Sequence, residues 1–354
     1  MISSFVDKHK LPTYKIKQFN DLYYKKAISN FDELVTWSKL EREALKKELE
    51  FCRLEPVTKQ VSNKQDTIKV LFKLHREPKK KIETVLMRHQ DGRNTVCVSC
   101  MVGCPVNCSF CATGKMGFLG NLTADEIIDQ VMYFQRLLKS ENQHVSNVVF
   151  MGMGEPMLNL KEVEEAIRVL NDPNKLNISQ RRITVSTSGY VRQFEKYIAD
   201  GFRTKVAVSL HASNQELREK LMPVARQHKL TELFKSLDNY VKLTNKRISY
   251  EYVMLDNVND SKENARELVY LLKNRLAHVN LIPYNTIRES TFKTSSKNRI
   301  HNFARILKNE GIECTIRVTM GEDIDAACGQ LADRENESYE SKLSRLKVLL
   351  DKAN

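Results

Sequence analysis

Residues 95–114 read TVCVSCMVGCPVNCSFCATG. A short β-branched run, Thr95–Ser99, leads into Cys104-Pro-Val-Asn-Cys108-Ser-Phe-Cys111, a C-x3-C-x2-C set in what reads as the loop after a strand. Five of the eight cysteines (Cys97, Cys100, Cys104, Cys108 and Cys111) fall within fifteen residues, while Cys52, Cys314 and Cys328 stand apart. Thiols clustered in this way point to metal or redox chemistry and away from a disulfide framework. Three thiolates are one short of the usual iron–sulfur set, so a cubane held by them keeps one iron open to an outside ligand. The zinc alternative pairs Cys97/Cys100 with Cys108/Cys111. It leaves Cys104 without a role, and the gap of seven residues between the pairs is shorter than the about 15–20 of zinc ribbons.

Outward from this stretch, the pattern of strand, loop and helix repeats. Candidate strands are Thr95–Ser99, Asn147–Met151, Arg182–Ser186, Lys205–Leu210, Ile248–Met254, Val279–Pro283 and Thr315–Thr319. Helical spacing fills 124–139, 161–170, 191–199, 230–243, 262–275 and 297–310, the first opened by the capping box Thr123-Ala-Asp-Glu126. Such alternation implies a parallel sheet, doubly wound or curled into a full or partial barrel. Either form puts ligand chemistry at the C-terminal ends of the strands.

The chain has 354 residues, 41% apolar and 29% charged, enough to build a sizeable core. No apolar run approaches the ~18 residues of a membrane span, and Met1–Lys17 lacks the apolar stretch of a signal peptide, so a cytoplasmic protein is expected. Lys and Arg number 57 against 44 Asp and Glu, an excess of +13 that points to a polyanionic partner. Residues 1–90 hold 20 basic and 12 acidic side chains, which is +8 of that total. Residues 1–75 read as a separate basic module. Phe31–Trp37 and Leu40–Phe51 have helical spacing, with Leu40, Ala44 and Leu45 on one face, and Thr67–Leu74 alternates like a strand. Tyr14, Lys15, Lys17, Phe19, Tyr23, Tyr24, Lys25 and Lys26 interleave rings with cations, either as a nucleic-acid surface or as a solvated face whose aromatics pack inward.

Further candidates sit at strand ends. Met151-Gly-Met-Gly154-Glu155-Pro156 pairs glycines that permit close backbone approach with a carboxylate able to hold an ammonium group, although a bare glycine pair is also an ordinary tight turn. Ser186, Ser209-Leu210-His211 and Asn285 close three other strands and should meet at the same mouth. His211 by itself would more often be a satisfied core residue. Cys328, in Asp323-Ile-Asp-Ala-Ala-Cys-Gly-Gln-Leu331, would ordinarily be a small buried hydrophobe.

The C-x3-C-x2-C run, with an aromatic before its last cysteine, resembles the radical S-adenosylmethionine superfamily. Further motifs resemble its RlmN/Cfr family of RNA methyltransferases: NLTADEIIDQV, VVFMGMGEPMLN, ITVSTSG, VSLHA, YEYVMLDNVND, NLIPYN and GEDIDAACGQLA. The resemblance implies a partial (β/α)6-type barrel over residues 76–331, a small N-terminal helical, α+β accessory domain that binds RNA over 1–75, and a basic helix within 332–354. It implies a [4Fe-4S] cluster on Cys104, Cys108 and Cys111, with S-adenosylmethionine held by Gly154, Glu155, Ser186, Ser209, Leu210, His211 and Asn285. Two S-adenosylmethionine molecules are used per turnover: one methylates Cys328, and the other yields a 5′-deoxyadenosyl radical that takes hydrogen from that methyl group. The methylene radical adds to an electron-poor adenine carbon that cannot attack a sulfonium as a nucleophile. Cys97 then releases the RNA through a transient disulfide with Cys328, which requires an accessible thiolate of low pKa. Glu83 aligns with the family's proton acceptor, while plain solvation beside Lys79–Lys81 is the alternative. The implied substrates are 23S rRNA and tRNA, and the implied electron donor is a flavodoxin- or ferredoxin-type reductase, with the enzyme a monomer. Pro156 and Pro283 resemble the C2-methylating branch rather than the C8-methylating one. Cys100 stands where the family generally has serine or threonine, as an inert residue or a thiol competing with Cys97.

Overall fold

The structure is a computed structural model and describes residues 2–332 apart from residue 289. The basic helix expected within 332–354 lies outside the described residues beyond its first position. Three helices open the chain: α1 (Ile2–Lys8), α2 (Tyr14–Asn20) and α3 (Lys39–Glu48). A capping box starts α3, with Ser38 and Glu41 each satisfying the other's backbone amide. The helix expected at Phe31–Trp37 is only a 3-10 turn, Phe31–Glu33, whose first amides bond the Asn30 side chain before the chain leaves helical dihedrals at Leu34. On α3, Leu45 is buried and Leu40 is exposed, so the expected apolar face is only partly used.

β1 (Leu54–Val61), β2 (Thr67–Leu74) and β3 (Glu77–Arg88) form an antiparallel meander, and β3 pairs antiparallel with β4 (Asn94–Cys97). β2 is a strand as expected, but it is enclosed on both faces: Phe72 packs on Tyr133 on one, and Lys69 reaches Glu83 and the Asp325 carbonyl on the other. The expected boundary at residue 75/76 falls in the β2–β3 turn, so β1 and β2 extend the same sheet as the core.

After β4 come the hairpin strands β5 (Met101–Gly103) and β6 (Phe118–Asn121), with α4 (Ala112–Lys115) between them, and then α5 (Ala124–Lys139). The rest alternates: β7 (Asn147–Phe150), α6 (Leu160–Asn171), β8 (Ile183–Thr187), α7 (Val191–Ala199), β9 (Lys205–Ser209), α8 (Gln215–Leu221), α9 (Leu230–Thr244), β10 (Ile248–Met254), α10 (Lys262–Leu272), β11 (Ala277–Pro283), α11 (Lys297–Asn309) and β12 (Glu313–Ile316). Strands β4, β7, β8, β9, β10, β11 and β12 are parallel and adjacent in chain order. Six crossovers that always step to the next strand, with no reversal of order, produce a curled sheet and exclude the doubly wound alternative. Among the described residues β1 and β12 are the two sheet edges, so the barrel is partial. β12 ends three residues before the expected Thr319. The Arg317 amide still bonds the Leu281 carbonyl, after which the chain leaves the sheet.

The N-terminal helices dock on α5. Asp129, nearly enclosed, accepts the Tyr23 hydroxyl (3.1 Å), the Arg53 amide (2.7 Å) and the Arg53 guanidinium (3.4 Å). Arg136 bonds the Ile28 carbonyl (2.8 Å) and lies over the Tyr23 and Phe51 rings. Phe19 stacks on Tyr23, both buried, and Lys15 is buried in an ion pair with Glu41 (2.9 Å). These three are therefore packing residues and not part of a nucleic-acid surface, whereas Tyr14, Lys17, Lys25 and Lys26 are exposed. Asp129→Ala strands three donors in this joint and is expected to cost about 3 kcal/mol, measured by urea denaturation; a loss under about 1 kcal/mol contradicts this account of the docking.

Candidate functional site

The loop that carries the thiols is set by the residues around it. Ser99 follows β4. Its hydroxyl donates to the Glu83 carbonyl (2.6 Å) and accepts the Met153 amide (2.9 Å), while its own amide bonds the Gln130 side chain (2.8 Å). The Cys104 amide bonds the Gly117 carbonyl (2.8 Å), and a side chain at Gly103 (φ +70°) would run into that same carbonyl. Ser109 donates its amide (3.0 Å) and hydroxyl (3.2 Å) to the Leu221 carbonyl at the end of α8.

Cys104, Cys108 and Cys111 line a cavity of about 930 Å³, counted out to its mouth, together with Gly154, Glu155, Ser186, Ser209, His211, Asn285 and Cys328. Contributions come from β7, β8, β9, β10 and β11, which curl around it as the strand-end argument requires. Leu210 is fully buried and is absent from the lining; its amide and that of His211 bond the Glu251 carbonyl (3.1 and 3.2 Å). A second cavity, about 880 Å³, adjoins the first through Met151, Ile282, Asn285, Arg317 and Cys328, and is also lined by Cys97, His89, Met87 and Leu331. Cys328 thus sits where the two meet.

Glu155 is buried. Its carboxylate accepts the Met157 amide (3.0 Å) and both the amide and hydroxyl of Ser188 (2.7 Å each). Burial still raises its pKa, against the bonds from Ser188, Met157 and Thr187, so a cationic ligand group beside it would favour the charged form. Gly154 (φ +106°) lies so close to Met101 and Cys100 that a Cβ would sit 2.7 Å from the Met101 Cβ. His211 has φ +56° and is held at a pKa of about 3 by burial and by the charge of Arg218. Its Nδ1 accepts the Val253 amide (3.0 Å), so the proton is on Nε2 and the ring is a neutral donor. Asn285 donates to the Cys328 carbonyl (3.2 Å). Three groups escaped the reading of the chain. Glu251 and Arg317 line the first cavity, with Arg317 Nη1 3.7 Å from Glu251 Oε2, and Ser188 clamps Glu155. Burial next to the end of a strand, invisible in a single sequence, is what marks them.

Burial pushes the thiols of Cys104 (to about 12), Cys108 and Cys111 upward. Three such sulfurs on one wall suit a polynuclear cluster, which binds each thiolate at a separate iron and supplies the positive charge that the buried anions need. The zinc pairing is not assembled: Cys108 and Cys111 line the first cavity, Cys97 lines the second, and Cys100 lines neither. All eight cysteines are free thiols. Cys100 is buried against Gly154 and lines neither cavity, so it does not compete with Cys97 for Cys328.

Two expectations need correction. Cys97 is neither accessible nor low in pKa: burial, and then the charge of Cys328, push it up to about 12, with Arg317 opposing. Glu83 lines neither cavity and is not solvated; it is buried, paired with Lys69 (2.9 Å), and accepts the Ala332 amide (2.9 Å). In this conformation it anchors the segment that follows Cys328 rather than reaching a substrate proton.

Residues 98–269 match the radical S-adenosylmethionine superfamily. The chain is 42% identical over 321 residues to a protein of Dictyoglomus turgidum named probable dual-specificity RNA methyltransferase RlmN, covering 90% of each chain. It is 42% identical over 329 residues to the protein of the same name from Staphylococcus epidermidis, covering 93% of this chain and 89% of that one. The crystal structure of a radical S-adenosylmethionine methyltransferase from Sphaerobacter thermophilus superposes with a TM-score of 0.90 at 41% identity, covering 93% and 96% of the two chains.

A thiol with its pKa near 12 is protonated at neutral pH, and its reactive thiolate grows about tenfold per pH unit below that value. Alkylation at Cys97, followed by peptide mass spectrometry, is therefore expected to accelerate steadily from pH 7 to 10; a plateau below pH 8 contradicts the assignment.

Proposed function

Because the chain belongs to the RlmN family of RNA methyltransferases, within the radical S-adenosylmethionine superfamily, we propose that it methylates a ring carbon of adenine, C2 rather than C8, in 23S rRNA and tRNA. One observation carries this reading: Cys104, Cys108, Cys111, Glu155 and Cys328 line a single cavity, and Cys328 is shared with the cavity that contains Cys97. When bound, the [4Fe-4S] cluster and S-adenosylmethionine supply the electron, the methyl group and the hydrogen-abstracting radical.

The remaining work falls to the chain. Cys104, Cys108 and Cys111 would hold the cluster. Glu155 would take the ammonium group of S-adenosylmethionine, the His211 Nε2–H and the hydroxyls of Ser186 and Ser209 would offer hydrogen bonds, and Gly154, whose missing side chain makes room for Met101 and Cys100, lines the same cavity. Cys328 receives the methyl group. Arg317 lines both cavities alongside it. The Cys97 thiolate attacks the Cys328 sulfur, forming the S–S bond and breaking the bond from that sulfur to the methylene carbon, whose electron pair takes up a proton as the methylated base leaves. This needs the Cys97 proton removed first, so release is slow unless RNA binding exposes or repositions the thiol. The exposed cations Lys17, Lys25 and Lys26, with Tyr14, belong to the basic N-terminal region that supports RNA docking. A flavodoxin- or ferredoxin-type donor and a monomeric, cytoplasmic enzyme complete the proposal. Among the described residues no helix is long and apolar enough to cross a membrane.

Anaerobically purified protein is expected to carry about four irons and four sulfides and a methyl group on Cys328. Cys328→Ala abolishes turnover, and Cys97→Ala accumulates a covalent protein–RNA adduct. Protein without iron or sulfide, or Cys97→Ala that turns over freely, overturns the mechanism. Mass spectrometry of the product as 8-methyladenosine overturns only the choice of carbon.

A further inference from the structure

Arg218, in the middle of α8, is fully enclosed. Only its Nη2 is engaged, donating to the carbonyls of Ser188 (2.7 Å) and Ser209 (3.2 Å); Nε and Nη1 are shut from solvent and meet no acceptor among the described residues. A buried cation with idle donors is costly unless something else in the site uses it. Its surroundings indicate what that is. Both carbonyls it holds belong to serines lining the first cavity, and its helix is bonded through Leu221 to Ser109, the residue after Cys108. Burial lowers its pKa to about 10, against the charges of Cys108 and Glu155, which raise it.

We propose that Arg218 sets the reduction potential of the cluster, its buried charge stabilising the reduced state at the Cys108 side. This rests on the cluster assignment above. The step is the transfer of one electron from a low-potential one-electron donor to the cluster; no bond is broken and no proton need move. A cubane with three thiolates carries one net negative charge when oxidised and two when reduced, so a nearby fixed cation favours uptake of the electron. Potentials of such clusters respond to net charge, hydrogen bonds to sulfur and solvent exposure, and Arg218, closed to solvent, acts through the first. A merely structural role, bracing the strand ends through Ser188 and Ser209, would alter S-adenosylmethionine binding and leave the potential where it was.

The test is a redox titration of the anaerobic holoenzyme, followed by electron paramagnetic resonance, for wild type, Arg218→Gln and Arg218→Lys. The glutamine keeps a donor for the Ser188 carbonyl and removes the charge; the lysine keeps the charge. The glutamine variant is expected to shift the midpoint negative so that, at the wild-type midpoint, the ratio of reduced to oxidised cluster falls at least about tenfold, or about 60 mV for one electron. The lysine variant is expected to recover most of that shift. A glutamine variant with a full cluster at the wild-type midpoint overturns the proposal, as does a lysine variant that falls as far as the glutamine. If neither variant holds a cluster, wild-type protein carrying guanidinium-15N arginine decides: hyperfine coupling of the reduced cluster to that nitrogen supports the assignment, and its absence overturns it. Wild-type protein without iron and sulfide would instead refute the cluster reading itself.

Discussion

Two short hydrogen bonds hold the site together across most of the chain. The Ala112 amide donates to the Gly329 carbonyl (2.8 Å), and the Thr113 hydroxyl donates to the Leu331 carbonyl (2.6 Å). They fasten the start of α4, directly after Cys111, to the segment that carries Cys328. Asn285 and Glu83 hold the same segment from the other side, through the Cys328 carbonyl and the Ala332 amide. The methyl transfer proposed above, from a ligand at one wall to the Cys328 sulfur and on to an RNA base, requires those positions held within fractions of an ångström. Backbone bonds at both ends of a short segment give that rigidity better than side-chain packing alone, because they fix the path of the chain as well as its contents.

The chemistry of the site follows from how little water reaches it. Burial raises the cluster thiols and Glu155, neutralises His211 and lowers the pKa of Arg218. Each group is costly where it stands unpaired, and under the function proposed above a charged ligand offsets that cost: an ammonium for the carboxylate, iron for the thiols, an anionic cluster for the guanidinium. The same burial raises the pKa of the Cys97 thiol. Arg317, next to both cysteines, is the only charge found to favour a thiolate there among the described groups acting on Cys97.

Much of this could be read along the chain because the signals were local. Ile248–Met254, 191–199 and 124–139 coincide with β10, α7 and α5, whose spacing and caps are set by near neighbours. Where the outcome depends on distant partners, the reading fell short. β1, β3 and the β5–β6 hairpin went unrecognised, and β12 stops early because only β11 supports it. Phe19, Tyr23 and Lys15 fit an RNA surface by composition, yet α5 and Trp37 were waiting to bury them. Glu83 looked solvated beside three lysines, whereas its strand carries it inward to Lys69 and the segment after Cys328.

The sequence alone determined the parts: three cysteines at cluster spacing, strands that alternate with helices, a glycine–glutamate turn and a cysteine beyond the last strand. Spacing within a few residues is a property of the local backbone, and resemblance across ordered motifs extends it over the whole chain. Only the tertiary structure decided which thiol faces Cys328, that Cys100 does not, that Glu83 is an anchor, and that Arg218 and Arg317 are brought to the site. Those outcomes depend on burial and on bonds between residues far apart in the chain, and burial is created by the curled sheet as a whole rather than by any one segment of it.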